Sequence, residues 1–129
     1  MRLELQPTVE RIPAVRGLDL QMERSEAGLT FTGQASAEHA NADDSAVVHG
    51  GVVGSILDTA ATLAAVVHGE RLWATATMSI AFVRAAAVGP LSGEAVIVNL
   101  GRTRALVRSE LRGEDGRLCA EATVSLSAL

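Results

Sequence analysis

The sequence predicts an α+β domain in which an antiparallel sheet wraps one buried helix. Three observations carry this prediction. The stretch VVHGGVVGSILDTAATLAAVVHG, residues 47–69, repeats its apolar residues at helical spacing and is apolar nearly all round. Four runs that alternate with period two follow it, separated by turn signals. One further alternating pair precedes it. A helix apolar on all sides must be enclosed, and a meander of half-apolar strands is the surface able to enclose it.

Taken in order, residues 1–16 read as an N-terminal arm, with a short helix or extended segment over 6–14. LDLQMERSEAGLTFTGQAS alternates on both sides of a turn near Glu26–Gly28 and predicts a hairpin. AEHANADDSA is polar and irregular, a loop. From Val52 the period changes: Val53, Ile56, Leu57, Ala60, Leu63, Ala64 and Val67 share helical spacing, and Gly69 is placed to stop the helix. WATATMSIAFV, LSGEAVIVNL, RALVRSELR and RLCAEATVSLSAL are the four strands, with GRT and GEDG as turns. Nothing divides the chain, so residues 1–129 are read as a single domain.

Composition narrows the function. Net charge is −4, which argues against a polyanion such as nucleic acid as partner. All eleven basic residues are Arg, and Arg84, Arg102, Arg104, Arg108 and Arg112 fall in the second half. They read either as a local anion site, through the planar guanidinium fork, or as a solvated sheet face. Cys119 is the only cysteine, which suits a reducing cytoplasm, and it has no nearby His to activate it. The first residues lack an apolar run of signal-peptide length, and Val52–Val67 is shorter than a membrane span and interrupted by Asp58. A cytoplasmic protein with no membrane partner is expected. His39, His49 and His68 have no ligand-like spacing, so no metal site is expected; His39 and His68 read as surface or loop residues.

Asp58 poses the chemical question, because an isolated carboxylate on an apolar helix is costly unless paired, hydrogen-bonded or protonated. Its face carries Gly54, Ser55 and Thr62, all small, so a second copy of the helix can approach closely. Gly50 lies eight residues earlier, about 12 Å along a helix axis. One chain cannot bring both to one atom, whereas two helices packed antiparallel about a twofold axis bring Asp58 of one toward Gly50 of the other. The first amides of a helix lack intrahelical acceptors, and Gly50 and Gly51 have no side chain to shield them. Amides aimed at a developing oxyanion, opposite a carboxylate acting as nucleophile or general base, suit hydrolysis of an activated acyl group. The plainer alternative is a tight Gly-Gly turn and an Asp bonded to a neighbouring hydroxyl.

The helix segment resembles the HGG-x(6)-D motif of hotdog-fold acyl-CoA thioesterases, in particular the phenylacetate-pathway (PaaI-like) group of the 4-hydroxybenzoyl-CoA thioesterase superfamily. ATMSIAFVRAAAVGPL is similar to the family strand that ends in an aromatic, an Arg and a small-residue corner. GRTRALVRSELRGEDGRLCAEATVSL is similar to its last two strands. The resemblance spans residues 18–127. It implies a hotdog fold, a homodimer that can pair into a homotetramer, and sites across the subunit seam. It also implies hydrolysis of acyl-CoA, with coenzyme A present only as part of the substrate and no cofactor.

Carried over by position, Asp58 matches the catalytic carboxylate, Gly50 the amide that polarises the carbonyl, and Thr75 a hydroxyl that positions water. Residues 82–87 (Phe82, Val83, Arg84 and Ala85 foremost) and 99–104, with Arg102, Thr103 and Arg104, match segments that hold coenzyme A; Gly51 belongs to the substrate-binding set. His49 matches a motif residue with a structural role at the start of the helix, or that of a base. Three places depart from the pattern: Asp43 and Ala46 stand where many relatives have Asn and Gly, with Asn41 two residues away, and Ala85 replaces a usual Pro. A hotdog enoyl-CoA hydratase or dehydratase, for which Asp44 lies five residues before His49, and a non-catalytic acyl-CoA-binding dimer are the competing readings.

Overall fold

The computed structural model describes residues 4–129, so the first three residues of the expected arm lie outside it. The arm contains α1 (Leu5–Val9) and a 3-10 turn at Pro13–Val15. The hairpin is β1 (Gln21–Arg24) and β2 (Gly28–Ala35), paired antiparallel with Met22 opposite Phe31. The long helix α2 spans Gly50–Gly69, followed by β3 (Trp73–Phe82), β4 (Gly89–Leu100), β5 (Arg104–Arg112) and β6 (Leu118–Ala128). Together they form one antiparallel six-stranded sheet in the order β1-β2-β4-β5-β6-β3. This is the hotdog architecture the sequence predicts.

Alternation decides what touches the helix. On β5, Ala105, Val107, Ser109 and Leu111 are buried; on β6, Ala120, Ala122, Val124 and Leu126. The side chains between them, among them Arg104, Arg108 and Thr123, face outward and are exposed. From the helix, Ile56, Leu57, Ala60, Ala61, Ala64 and Ala65 are fully buried against this face. Burying a side chain the size of Leu57 contributes about 1.5–3 kcal/mol. Small residues set how closely layers meet: Gly93 sits opposite Phe31, and a Cβ there would lie 2.4 Å from the ring. The Glu110 carbonyl oxygen would be closer still, at 2.0 Å, so only glycine fits between them.

The end of α2 differs in detail from expectation. Gly69 is the last helical residue, and the left-handed position after it is taken by Glu70, at φ 50°. Space explains Gly69: a Cβ there would come within 3.1 Å of the Trp73 indole nitrogen. By length and apolar content α2, with 20 residues, does reach the dimensions of a membrane span. The sheet, not a bilayer, is what covers its apolar side chains.

The helix is not enclosed all round. Gly50 and Gly51 are exposed, and Val52, Ser55, Asp58 and Thr62 are half-buried, which leaves a stripe of mostly small residues uncovered. Beside that stripe lies β3, an edge strand that among the described residues pairs only with β6. Of its residues Trp73 alone is buried.

Candidate active site

The helix N-terminus is built by His49, the N-cap, whose Nδ1 accepts the Gly51 N–H at 2.8 Å. A Cβ on Gly51 would lie 3.0 Å from two atoms of that ring, so any larger residue would crowd the capping side chain. This corrects the expectation that both glycine amides face a ligand: the Gly51 donor is already used. Gly50 occupies the first helical position, where the N–H has no intrahelical acceptor, and among the described residues nothing accepts from it. As an acceptor through Nδ1, His49 carries its neutral proton on Nε2, and its visible work is capping.

Gly50 borders a cavity of about 320 Å³. Val47, Val53, Phe82, Val83, Ala86 and Cys119 give it apolar walls, while Asn41 and Arg84 are polar groups at its border. Phe82 lies over the glycine, its ring 3.5 Å from where a Cβ on Gly50 would stand. The strand end is held because the amides of Val83 and Arg84 both donate to the Cys119 carbonyl, at 2.8 and 3.0 Å. Asn41 is fixed by its own N–H to the Val47 carbonyl at 2.8 Å and by the flanking bridge of Ala40 to Val48. Asp43 does not reach the cavity: it is exposed, as is Asp44, which sits in a left-handed conformation at φ 63°. The loop thus brings Asn41 to the place where Asp43 was expected to matter.

Asp58 answers differently. The Thr75 hydroxyl donates to its Oδ1 at 2.5 Å. Because that proton is committed, Thr62 donates to Thr75 Oγ1 at 3.4 Å, which forms a relay of two hydroxyls aimed at one carboxylate oxygen. Oδ2 has no partner among the described residues, and Asp58 is half-exposed on the open stripe. The carboxylate is therefore hydrogen-bonded, which removes part of its cost, and still available. Thr75 is positioned by a β-bulge that shifts the β3–β6 register between Thr75 and Thr77.

The remaining expected residues divide in two. Phe82, Val83, Arg84 and Ala85 surround the cavity at the start of α2. Arg102, Thr103 and Arg104 lie at its far end, where Leu100 approaches Gly69 within 3.5 Å of a would-be Cβ. Twenty helical residues span about 30 Å, so one chain does not unite these groups. Arg104 donates to Ser127 Oγ at 2.7 Å, and the Arg102 carbonyl accepts from Arg71 at 2.5 Å. For Arg108 and Arg112 the sheet-face reading holds: Arg108 is exposed, and Arg112 pairs with Glu110 at 2.9 Å.

Two histidines depart from expectation. His39 is buried, with Nδ1 accepting the Ser36 N–H at 2.9 Å, because it anchors the loop that leads to Asn41. His68 is half-buried and bridges to the Gly28 carbonyl at 2.9 Å. Cys119 is 2% exposed and contributes to the cavity wall, a position its strand pattern alone did not reveal. The described residues contain no cluster of His, Cys, Asp and Glu able to hold a metal ion.

A cleft between a helix start and a strand end, together with a hydroxyl-bound carboxylate on the same helix, belongs to a known class. The pattern of the thioesterase superfamily matches residues 46–120, and the chain belongs to that superfamily of thioester hydrolases. No curated protein matches the chain. Among solved structures it is similar to the E. coli PaaI protein of the phenylacetic acid degradation operon, at 19% identity and TM-score 0.84, with 95% of this chain and 88% of that one covered. It is also similar to the Haemophilus influenzae thioesterase HI1161, at 20% identity and TM-score 0.84, covering 100% and 92%. A Streptococcus pneumoniae hypothetical thioesterase, solved with coenzyme A, aligns at 18% identity and TM-score 0.78 over 86% of each chain. These likenesses establish the hotdog fold.

Proposed function

We propose that the protein hydrolyses acyl-CoA to a carboxylic acid and free coenzyme A, in sites shared by two copies of the chain. The observation that carries this reading is the half-exposed Asp58, held through one oxygen by Thr75 and free at the other, on the uncovered stripe of α2. β3 supports the shared site. Its ten residues carry no charge and no proline, and its outer edge is unpaired among the described residues, the kind of edge that recruits another strand. Pairing two β3 strands about a twofold axis sets the small stripes of two α2 helices against each other, antiparallel. Asp58 of one copy then approaches Gly50 of the other. The same twofold brings the Arg102–Arg104 turn of one copy nearer to the Arg84 side of the next, a basic setting for coenzyme A phosphates.

In this site the Gly50 N–H and the positive helix end polarise the thioester carbonyl. Asp58 Oδ2 takes a proton from water as the water oxygen attacks the carbonyl carbon, or attacks that carbon itself before water releases the acyl group. The tetrahedral intermediate collapses with cleavage of the carbon–sulfur bond, and the thiolate leaves as coenzyme A after protonation. Asn41, at the border of the cavity beside Gly50, supplies an amide for the carbonyl or water in place of Asp43. The apolar walls receive the uncharged acyl chain. Thiol release from a panel of acyl-CoA substrates tests the reading, with Asp58→Asn expected to lower kcat by roughly 10²–10⁴-fold. Turnover by that variant at the wild-type rate would remove Asp58 from the chemistry.

A further inference from the structure

One hydroxyl lies where the sheet needs none. Ser109 is fully buried, and it faces the helix from the middle of β5. Its register partners are Ala95 on β4 and Ala122 on β6, both fully or almost fully buried. Leu29 and Ile80 complete the row on β2 and β3. Three small side chains in the centre of a row let the helix come close at this level. A buried hydroxyl without a partner is costly, and alanine would serve a pure packing role here as it does on both sides. The hydroxyl is used: Ser109 Oγ donates to the Leu57 backbone carbonyl at 2.8 Å.

Leu57 immediately precedes Asp58. Apart from bonds near its C-terminal end, where Arg24 donates to the Val67 carbonyl and His68 bridges to the Gly28 carbonyl, the buried face of α2 is held by apolar side chains, and apolar burial is non-directional. It sets the depth of a helix better than its rotation or its axial position. A hydrogen bond to one carbonyl specifies both, and that carbonyl keeps a second lone pair for the helix's own ladder. The turn at 57–58 is thus held from two strands, by Ser109 at the Leu57 carbonyl and by Thr75 at the Asp58 carboxylate. We infer that Ser109 is a positioning residue that aims Asp58 at the scissile carbonyl by locking the rotation and register of α2. The inference rests on the proposed role of Asp58.

Four variants test it by steady-state kinetics on the best acyl-CoA of the panel. Ser109→Ala is expected to lower kcat about tenfold while KM stays within about twofold, the signature of a misaimed group and not of lost binding. Ser109→Cys keeps the core filled but offers only a weak donor, so it should resemble Ser109→Ala. It also serves if the alanine variant folds poorly. Val107→Ala, on the same strand and fully buried, should lower the melting temperature more than Ser109→Ala yet leave kcat unchanged. In the Asp58→Asn background, Ser109→Ala should cost less than about twofold further, because both act through one group.

Unchanged kcat in Ser109→Ala, full recovery in Ser109→Cys, or an undiminished tenfold loss on top of Asp58→Asn each overturns the inference while leaving Asp58 in place. If Asp58→Asn is itself as active as wild type, the role of Asp58 falls first and the inference falls with it.

Discussion

At one edge of the sheet, β1 offers its outward backbone to the side chain of Gln6; at the other, the outer side of β3 meets no partner among the described residues. The Gln6 amide donates to the Leu20 carbonyl at 2.9 Å and accepts the Met22 N–H at 2.8 Å, which are the two contacts a neighbouring strand would make. α1 holds it there, and β1 itself has four residues. β3 has neither a clamp nor a charge, and Met78, Phe82 and Val83 are exposed along and just beyond it, Phe82 and Val83 at 59% and 61%. The contrast teaches where association is permitted. A sheet with one edge closed and one open can form a closed twofold pair, whereas two open edges permit an endless ribbon. The stripe that carries Asp58 lies beside the open edge, so the face available for pairing is also the face of the proposed site.

The comparison breaks most severely if the open edge is made repulsive. Met78→Glu places like charges near the proposed twofold, because Met78 faces the helix side opposite Val124. We expect the mass from light scattering to halve, with activity down by roughly 10²-fold or more as the shared site is dismantled. A folded dimer with normal turnover would count against β3 as the seam. Next in size, Gly50→Pro deletes one N–H at the first helical position, where proline is tolerated and the preceding residue already has extended backbone. Its kcat should fall by roughly 10²–10³-fold with the fold intact.

Mixing subunits sharpens the same point. Asp58→Asn and Gly50→Pro chains, each nearly inactive alone, should regain about one quarter of wild-type activity after random reassociation, since half the pairs carry one intact site. No recovery would mean that each site belongs to a single chain. The smallest effect concerns the closed edge. Gln6→Ala should cost about 1–3 kcal/mol through two lost hydrogen bonds and produce concentration-dependent growth beyond the wild-type mass. Gln6→Glu keeps the acceptor for Met22 but not the donor for Leu20, so chemical denaturation should place it between the two.

Much of this was legible in the residue order. The alternation of LSGEAVIVNL, RALVRSELR and RLCAEATVSLSAL placed three strands to within two residues, because side-chain direction in a strand is a local property. The motif around Gly50 and Asp58 identified the helix, and Ser55 and Thr62 identified its uncovered face, whereas Gly54, expected beside them, is buried next to Ile80. The site itself was legible only in part. Gly51 looked as available as Gly50 until the His49 ring was seen to take its amide. Asp43 held the expected place in the order, yet the loop brings Asn41 to the cavity. Ser109 left a weak signal, a hydroxyl on the buried side of an alternating strand, that acquires meaning only beside Leu57, 52 positions away.

Period, turn chemistry and composition thus determined by themselves a helix apolar nearly all round, the strands that must cover it and the carboxylate left on its small face. These follow from interactions over a few residues, and such interactions are written in order. Which edge of the sheet stays open, which amide remains free and which hydroxyl holds the turn at 57–58 were decided only by the tertiary structure. The open edge and the held turn depend on contacts between separate segments, Gln6 with Leu20 and Met22 and Ser109 with Leu57, and the free amide depends on the side-chain conformation His49 adopts at the folded helix start, none of which residue order alone specifies.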